Sequence, residues 1–237
     1  DLHSFPTRRS SDLDLEHDVT NYATANVNVS GGGGDLTEYF DTEITKDTND
    51  YDYYHVWDVV KKTPSFTISN NVTSLRNCFS AWILKTIDVS KLNTSNITTM
   101  RAMFNSMQFL EELDLSNFDT SKVTSFNTMF ASCSVLKKIN MSSFTINPSS
   151  SSVSANQMFN YTPKLAVIDA SQFEFSKLLA GTQMFTDCGT SCLQSDGAYA
   201  DGIPYVYVKD TTAQNWVLTA NNGHPSTWTT SNVVIKS

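Results

Sequence analysis

Five phenylalanines recur along the chain at a nearly constant interval, and this period constrains the fold more than any other feature. Successive members are 25, 26, 29 and 26 residues apart, and each one follows a Met or a Cys. The five are Phe79, Phe104, Phe130, Phe159 and Phe185. A period in the twenties indicates a repeat protein, in which each repeat buries its apolar side chains against its neighbours.

Strand-like tetrapeptides support the same conclusion. One follows each of the first four phenylalanines, and all four read apolar, polar, apolar, Ser. They occupy residues 87–90, 113–116, 139–142 and 168–171. Because side chains alternate along a strand, the first and third positions point towards the core and the second points outward. An apolar-x-apolar core at this period is typical of leucine-rich repeats.

The residues around each Phe predict the opposite wall of the repeat. Ile97, Met100, Met103 and Phe104 stand at i, i+3, i+6 and i+7, which is the spacing of a short helix or 3₁₀ turn. We therefore predict a leucine-rich-repeat-like solenoid. It is a right-handed coil with one parallel β-sheet face, short helical or 3₁₀ segments opposite, and a cap at the C-terminus.

The period fades from about residue 197, where a cap is expected to close the array. The pattern there predicts a strand over residues 203–208, a short helix over 211–219 and a last strand over 232–235. Trp216 and Trp228 are expected to shield the final coil from water.

The chain divides into four regions. Residues 1–13 resemble the in-frame translation of a common short-read sequencing adapter and are set aside as an artefact. Residues 14–63 form an acidic N-terminal segment that is expected to cap the first repeat, 64–195 hold the repeats, and 196–237 form the C-terminal capping region. On this interpretation the chain is a piece of a longer protein, and any secretion signal lies upstream of Asp14.

The negative charge of the chain is concentrated near its start. The formal net charge is −8, and residues 14–58 hold eleven acids against the single base Lys46, whereas residues 59–237 hold eleven acids against thirteen bases. No basic stripe or Lys/Arg run is present, which argues against nucleic-acid and anionic-membrane partners. No apolar run approaches the roughly 18 residues of a spanning helix, so we expect no direct membrane insertion.

The four cysteines fall into two groups. Cys78 and Cys133 occupy core positions of the repeat and are expected to be buried thiols. Cys188 lies two repeats after Cys133, or roughly two 4.8 Å strand spacings, which exceeds the about 7 Å that a disulfide allows. Cys188 and Cys192 are close enough to bridge a small loop, and they form either a disulfide or two thiols. They lack the second ligand pair of a zinc site.

One family resembles this chain closely. The run 113–124, Leu-Asp-Leu-Ser-Asn-Phe-Asp-Thr-Ser-Lys-Val-Thr, is followed by Thr-Met-Phe at 128–130 and by Cys-Ser-Val-Leu at 133–136. These joined elements recur in phase and resemble the BspA-like leucine-rich-repeat family of bacterial surface proteins over roughly residues 70–190. The resemblance implies an exported or surface-anchored protein of adhesion type. The fourth and fifth repeats depart from the pattern at three places: Ala170 replaces Leu, Asn156 stands at an apolar position, and Lys-Leu-Leu at 177–179 begins a repeat.

The outward positions of the tetrapeptides form the candidate binding row, Asp88, Asp114, Asn140 and Asp169. Strand spacing would place Asp88 and Asp114 about 5 Å apart, where like charges destabilise one another. The row could therefore be kept for a cation or a basic ligand. The alternative is a solvated face whose side chains hydrogen bond to their neighbours.

No catalytic arrangement accompanies these repeats. His17, His55 and His224 stand far in sequence from the repeated Ser and Cys positions, and we predict no catalytic residue, metal or cofactor. The first hypothesis is a monomeric, non-enzymatic, extracellular or cell-surface protein that binds a protein or glycan on host matrix or neighbouring cells. The second is a stalk or spacer for an upstream domain, and the third is a hydrolase with its site in the N-terminal segment. No signal or anchor is visible in the sequence.

Overall fold

The computed structural model describes residues 27–29, 66–68, 72–81, 84–146, 150, 152–192 and 203–236. The adapter-like residues 1–13 lie outside the described part, and so does the acidic segment 14–63 apart from residues 27–29. The predicted N-terminal cap and hydrolase site therefore stay predictions.

The described strands form two sheets. A two-stranded antiparallel sheet pairs β1 (Val27–Val29) with β2 (Phe66–Ile68). A five-stranded parallel sheet follows the chain order from β3 to β7. Its strands are β3 (Glu112–Asp114), β4 (Lys138–Asn140), β5 (Val167–Ala170), β6 (Tyr205–Val208) and β7 (Val233–Ile235).

The tetrapeptides enter this sheet with the predicted facing. Their first and third residues are buried in every repeat. This holds also for residues 87–90 of the first repeat, which are not among the strands of the sheet. The buried residues are Ile87, Val89, Leu113, Leu115, Ile139, Met141, Ile168 and Ala170. Each strand therefore adds two apolar side chains to one continuous core.

The wall opposite the sheet is not helical, and this part of the prediction is wrong. Within 72–192, as far as the structure describes it, the one helix is the 3₁₀ helix Phe175–Lys177. The Met-Phe segments are instead successive turns, as in Met103 N–H to Met100 C=O, 3.2 Å. Alternate residues donate to the next repeat, as in Phe104 N–H to Met129 C=O, 2.9 Å. An α-helix would keep all these bonds within one segment.

The cause is a left-handed residue on each side of every repeated Phe. The second residue before and the second residue after have φ between 53° and 62° in all five repeats. They are Asn77, Ala81, Ala102, Ser106, Thr128, Ser132, Gln157, Tyr161, Gln183 and Asp187. Eight of the ten are neither Gly, Asn nor Asp, and the left-handed conformation costs such residues roughly 1–2 kcal/mol each. The hydrogen bonds between repeats stabilise a conformation that the residues alone disfavour.

The repeated phenylalanines form a buried stack along the array. Ring centroids of successive members are 5.5, 5.9, 5.4 and 5.5 Å apart, with interplanar angles of 13°, 12°, 20° and 4°. All five rings are fully buried. Such stacking adds about 0.5–1.5 kcal/mol per pair to the burial of the rings.

The elements predicted for the C-terminal region are confirmed: β6, β7 and, between them, α1 (Thr211–Val217). The Asp210 side chain caps α1 by accepting from Ala213 N–H at 2.8 Å. A 3₁₀ helix, Ala220–Asn222, follows. There the Asn222 carbonyl accepts from Phe185 N–H at 3.0 Å, which continues the ladder beyond the last repeat.

Aromatic contacts join this region to the repeats. The Trp216 ring lies 5.5 Å from Phe175, and the Trp228 ring lies 5.1 Å from Phe185, the last member of the stack. A parallel sheet, few helices and a ladder between repeats are compatible with a repeat, solenoid-like arrangement. Asn156 does not occupy an apolar position, because the buried residue of that turn is its neighbour Ala155.

Candidate binding face

The structure aligns three of the candidate residues on adjacent strands. Asp114 pairs in register with Asn140, and Asn140 pairs with Asp169. Asp88 holds the equivalent position in the preceding repeat. We call Asp88, Asp114, Asn140 and Asp169 the outward row, which runs across the strands and continues to Tyr207 on β6.

Every side chain of the outward row accepts a hydrogen bond from the backbone N–H of the Ser two residues later. The distances are 2.9 Å for Asp88 to Ser90, 3.0 Å for Asp114 to Ser116, 3.1 Å for Asn140 to Ser142 and 3.2 Å for Asp169 to Ser171. These bonds fix the orientation of each side chain at the end of its strand. They also satisfy a backbone donor where the chain leaves the sheet.

The row differs in charge from one end to the other. Asp114 is exposed, whereas Asp169 forms an ion pair with Lys236, which follows β7. Burial works to raise the pKa of Asp169, but hydrogen bonds from Lys236 and Ser171 outweigh it and hold that pKa below its ordinary value. Asp169 is therefore an ionised carboxylate whose charge is balanced by Lys236, whereas Asp114 is exposed on its strand.

Ion pairs join the residues that immediately precede the strands. Glu111 lies between Lys85, at 2.9 Å, and Lys137, at 2.7 Å, in the two neighbouring repeats. Hydrogen bonds from Lys137 and then Lys85 lower the pKa of Glu111. Glu112 pairs in register with Lys138. The face thus carries mixed charge rather than a field of one sign, and exposed pairs of this kind stabilise the fold little.

The described residues contain no group of three His, Cys, Asp or Glu side chains that could hold a metal ion. His224 is the one histidine in the described part, and its ring nitrogens lie 2.9 Å from the carbonyl oxygens of Leu218 and Pro225. His224 therefore lies in the C-terminal region, away from the outward row. His17 and His55 lie outside the described residues.

All four cysteines are buried thiols in the structure. Burial raises the pKa of Cys78, Cys133 and Cys188 to about 12. The prediction of buried thiols at Cys78 and Cys133 is confirmed. Cys188 and Cys192 are not joined, and their disulfide stays a prediction.

An aromatic patch on the same face was not anticipated from the sequence. Tyr205 and Tyr207 project outward from β6, and their rings are 6.0 Å apart and nearly parallel, at 6°. The Lys236 ammonium lies 5.4 Å from the centre of the Tyr207 ring. The alternating sequence Tyr-Val-Tyr-Val could have predicted this patch. Side chains alternate along a strand, so two buried valines place both tyrosines on the opposite face.

Two buried threonines that connect successive repeats were also not predicted from the sequence. The Thr94 hydroxyl lies 3.1 Å from the Asp119 carbonyl and accepts from Asp119 N–H at 2.7 Å. Thr120 makes the same pair of bonds to Thr145, at 2.9 and 2.8 Å. Both threonines join one repeat to the next at the corner after the strand. The dipeptide Thr-Ser, which follows both Asn93 and Asp119, is the sequence pattern that could have indicated this role.

These features define a class of protein: repeats of about 26 residues that share one parallel sheet, one stack of phenylalanines and one backbone ladder. The chain belongs to the family described as "Mycoplasma protein of unknown function, DUF285", whose profile matches residues 73–196. No curated protein and no solved structure matches the chain. No helix in the described part is long and apolar enough to cross a membrane.

Proposed function

We propose that the chain is a BspA-like leucine-rich-repeat solenoid, displayed outside the cell, which binds a protein or glycan without catalysis. On this proposal the coil is right-handed, and its outward sheet face meets the partner on host matrix or on a neighbouring cell. Repeat proteins commonly bind through such extended faces.

The observation that carries the proposal is the outward row itself. Asp114 and Asn140 each have one side-chain oxygen held by a Ser backbone N–H, so their orientation is set before any partner arrives. Groups that are fixed in advance lose little conformational entropy on binding. The aromatic pair Tyr205 and Tyr207 extends the same face with large, rigid side chains of the type enriched at interfaces.

The mixed charge of the face favours a polar partner. Carboxylate, amide, ammonium and phenol groups lie side by side on this face. Together they can donate hydrogen bonds to, and accept them from, the hydroxyls of a glycan or the backbone of a protein. Neither partner needs the basic stripe that nucleic acid requires.

The test is capture on immobilised ligands. The purified chain would be passed over separate surfaces of fibronectin, fibrinogen and laminin, and over a glycan array. We expect retention on at least one surface, and we expect the combined change of Asp88, Asp114 and Asn140 to Ala to weaken it at least tenfold.

Asp119→Ala is the matched control. Asp119 makes the same bond to a following residue, from Ser121 N–H at 2.9 Å, but it lies in a corner turn rather than on the sheet. This variant should bind like the parent. Equal binding by the parent and the triple variant, or no retention on any surface, would contradict the proposal.

A spacer is the second candidate, and the backbone ladder favours it. Each repeat donates several N–H groups to the next along its whole turn segment, as in Leu75 to Thr99 at 3.0 Å and Ala81 to Asn105 at 2.8 Å. Continuous bonding of this kind would suit a spacer. A parent gene that encodes a large upstream domain, together with no ligand for the repeats, would support the spacer over the binding protein.

A further inference from the structure

Strand β7 is the outer strand of the five-stranded sheet at its C-terminal end, as far as the structure describes the chain. Its three residues, Val233, Val234 and Ile235, are apolar and β-branched, and Ile235 is 42% exposed. Residues of this type favour strands, and an exposed apolar edge strand invites pairing with another chain. The edge of β7 is therefore a place where the sheet could take up a further strand.

The backbone of β7 has an inner and an outer side. On the inner side, Lys236 N–H donates to Val208 C=O at 2.9 Å, and Asn232 C=O accepts from β6 at 2.9 Å. Because successive residues of a strand direct their N–H and C=O groups to opposite sides, Val233 and Ile235 direct theirs away from β6. These outer groups are the ones that a further strand would bind.

Both outer groups of Val233 are already bound within the chain. Val233 N–H donates to the Thr229 carbonyl at 3.0 Å, and Val233 C=O accepts from Gln214 Nε2 at 2.7 Å. Gln214 lies on α1, the helix between β6 and β7, and its side chain is half-buried. The Gln214 amide thus takes the acceptor that the backbone N–H of a further strand would need.

The turn that precedes β7 is anchored to the sheet. Asn232 is 3% exposed, and its Oδ1 accepts from Thr229 N–H at 2.6 Å. Its Nδ2 donates to the Pro204 carbonyl at 2.9 Å. The Thr229 carbonyl is therefore held in place by the turn itself, whereas the Val233 carbonyl depends on the single side chain of Gln214.

Lysine does not protect this edge, although a Lys beside an edge strand commonly discourages pairing. The Lys236 ammonium pairs with Asp169 and lies 5.4 Å from the centre of the Tyr207 ring, over the face of the sheet. At the other end of the sheet, the segment before β3 is bonded to the first repeat, because Glu111 N–H donates to it at 3.2 Å. Protection of β7 therefore depends on the groups bound to Val233.

We propose that Gln214 is an edge guard: its amide closes the edge of β7 to the β7 strand of a second copy of this chain. With the guard bonded, both outer groups of Val233 are occupied and the chain is monomeric. Without it, the Val233 carbonyl and the outer groups of Ile235 are open, and two copies pair their β7 strands antiparallel about a two-fold axis. The guard acts at the edge of the sheet, so the proposal does not depend on what the outward row binds.

The first test measures the self-association of Gln214→Met, which keeps the length of the side chain and removes its N–H donors. Sedimentation velocity is recorded for parent and variant over a wide range of protein concentration. We expect the parent to stay monomeric and the variant to dimerise at concentrations at least about tenfold below any at which the parent associates. A monomeric Gln214→Met would overturn the proposal.

Gln183→Met is the matched control. Gln183 accepts from Gln157 Nε2 at 3.1 Å on the wall opposite the sheet, so this variant also loses a glutamine hydrogen bond but leaves the edge of β7 unchanged. It should remain monomeric like the parent. Equal dimerisation by Gln183→Met and Gln214→Met would overturn the proposal.

A second change identifies the surface that pairs. Proline has no N–H and is tolerated in edge strands. Gln214→Met combined with Ile235→Pro should therefore be monomeric again. A dimer that persists in the double variant would show that β7 is not the surface, and the proposal would fail.

Hydrogen exchange provides a test on the unaltered chain. In the parent, the Ile235 amide should exchange fast because it faces the open edge, and the Val233 amide should exchange slowly because it is bound to Thr229. In the Gln214→Met dimer, exchange at Ile235 should slow at least about tenfold. Slow exchange at Ile235 in the parent would show that the edge is already paired. That result would overturn the proposal even if Gln214→Met failed to fold.

Discussion

Gly181 lies against the indole ring of Trp216 so closely that a Cβ atom on Gly181 would stand 2.4 Å from Cη2 and 2.7 Å from Cζ2. The equivalent positions of the earlier repeats hold Leu75, Met100, Phe126 and Ala155, which fill the core with side chains of their own. In the last repeat the space belongs to Trp216 of the C-terminal region. The absent side chain therefore leaves the room that the indole ring of Trp216 occupies.

Gly181→Ala is expected to destabilise the protein by about 1–3 kcal/mol, because the methyl group must displace the indole ring from its contact with Phe175. Urea unfolding of the parent and the variant measures the change. Gly181→Ala combined with Trp216→Leu should be less than additive, since the smaller side chain makes room. Full additivity of the two changes would show that the contact is not the cause.

Asp114→Ala should lower stability by about 0.5–1.5 kcal/mol, because the Ser116 N–H loses its acceptor. Asp114→Asn should be neutral or slightly stabilising, since an amide oxygen makes the same bond at Asn140 and the variant removes a charge. Thermal unfolding of both variants separates the two effects. A large loss of stability in Asp114→Asn would indicate that the charge itself is needed.

Ala102→Gly is expected to raise stability by about 0.5–1 kcal/mol. Ala102 has a φ of 53°, and the relief of left-handed strain exceeds the extra backbone entropy that Gly loses on folding. Ala131→Gly is the control, because Ala131 is buried and is not among the residues with positive φ. That variant should be destabilised, and a matching gain at Ala131 would argue against strain as the explanation.

Acid should weaken the ion pair between Asp169 and Lys236. Because the pKa of Asp169 is held below its ordinary value in the folded protein, the stabilisation is present at neutral pH and is lost as the pH falls through that lowered pKa. Between pH 5 and pH 2.5 the melting temperature of the parent should fall further than that of Asp169→Asn. Lys236→Met removes the same pair from the other side and should flatten the curve similarly. Parallel curves for all three proteins would rule out this contribution.

The buried thiols should be inert in the folded protein. Because burial raises the pKa of Cys78, Cys133 and Cys188 to about 12, almost no thiolate is available for iodoacetamide at pH 8. Alkylation of Cys78 and Cys133 should be slow in buffer and complete in urea. Mass spectrometry after denaturation without reductant also tests the predicted bridge, since a disulfide between Cys188 and Cys192 lowers the mass by two hydrogens. Rapid alkylation of Cys133 in buffer would contradict its burial.

Much of the core was predictable because its signals are local. Side-chain alternation alone assigns Leu113 and Leu115 to the interior and Asp114 to the outside, and the structure agrees. The helical wall was wrong because apolar residues three and four apart suit both a helix and a run of turns. The outcome depends on whether the N–H of a residue such as Phe104 bonds within its own segment or to Met129 of the next repeat.

The candidate site shows the same division. The outward row could be predicted from the second position of each tetrapeptide. The ion pairs that its members form with distant residues could not be predicted from the sequence. Lys236 stands 67 residues after Asp169, and no sequence pattern links them. Their ion pair arises because β6 and β7 extend the sheet beyond β5, which brings the end of the chain back to the row.

By itself the sequence determined the period, the buried and exposed positions of each strand, and the strand, helix and strand of the C-terminal region. These properties follow from the spacing of apolar side chains along a short stretch of chain. Only the tertiary structure decided the left-handed turns, the hydrogen bonds between repeats, the fit of Trp216 over Gly181 and the two carbonyls around His224. Each of those depends on groups that become neighbours only after the repeats have stacked.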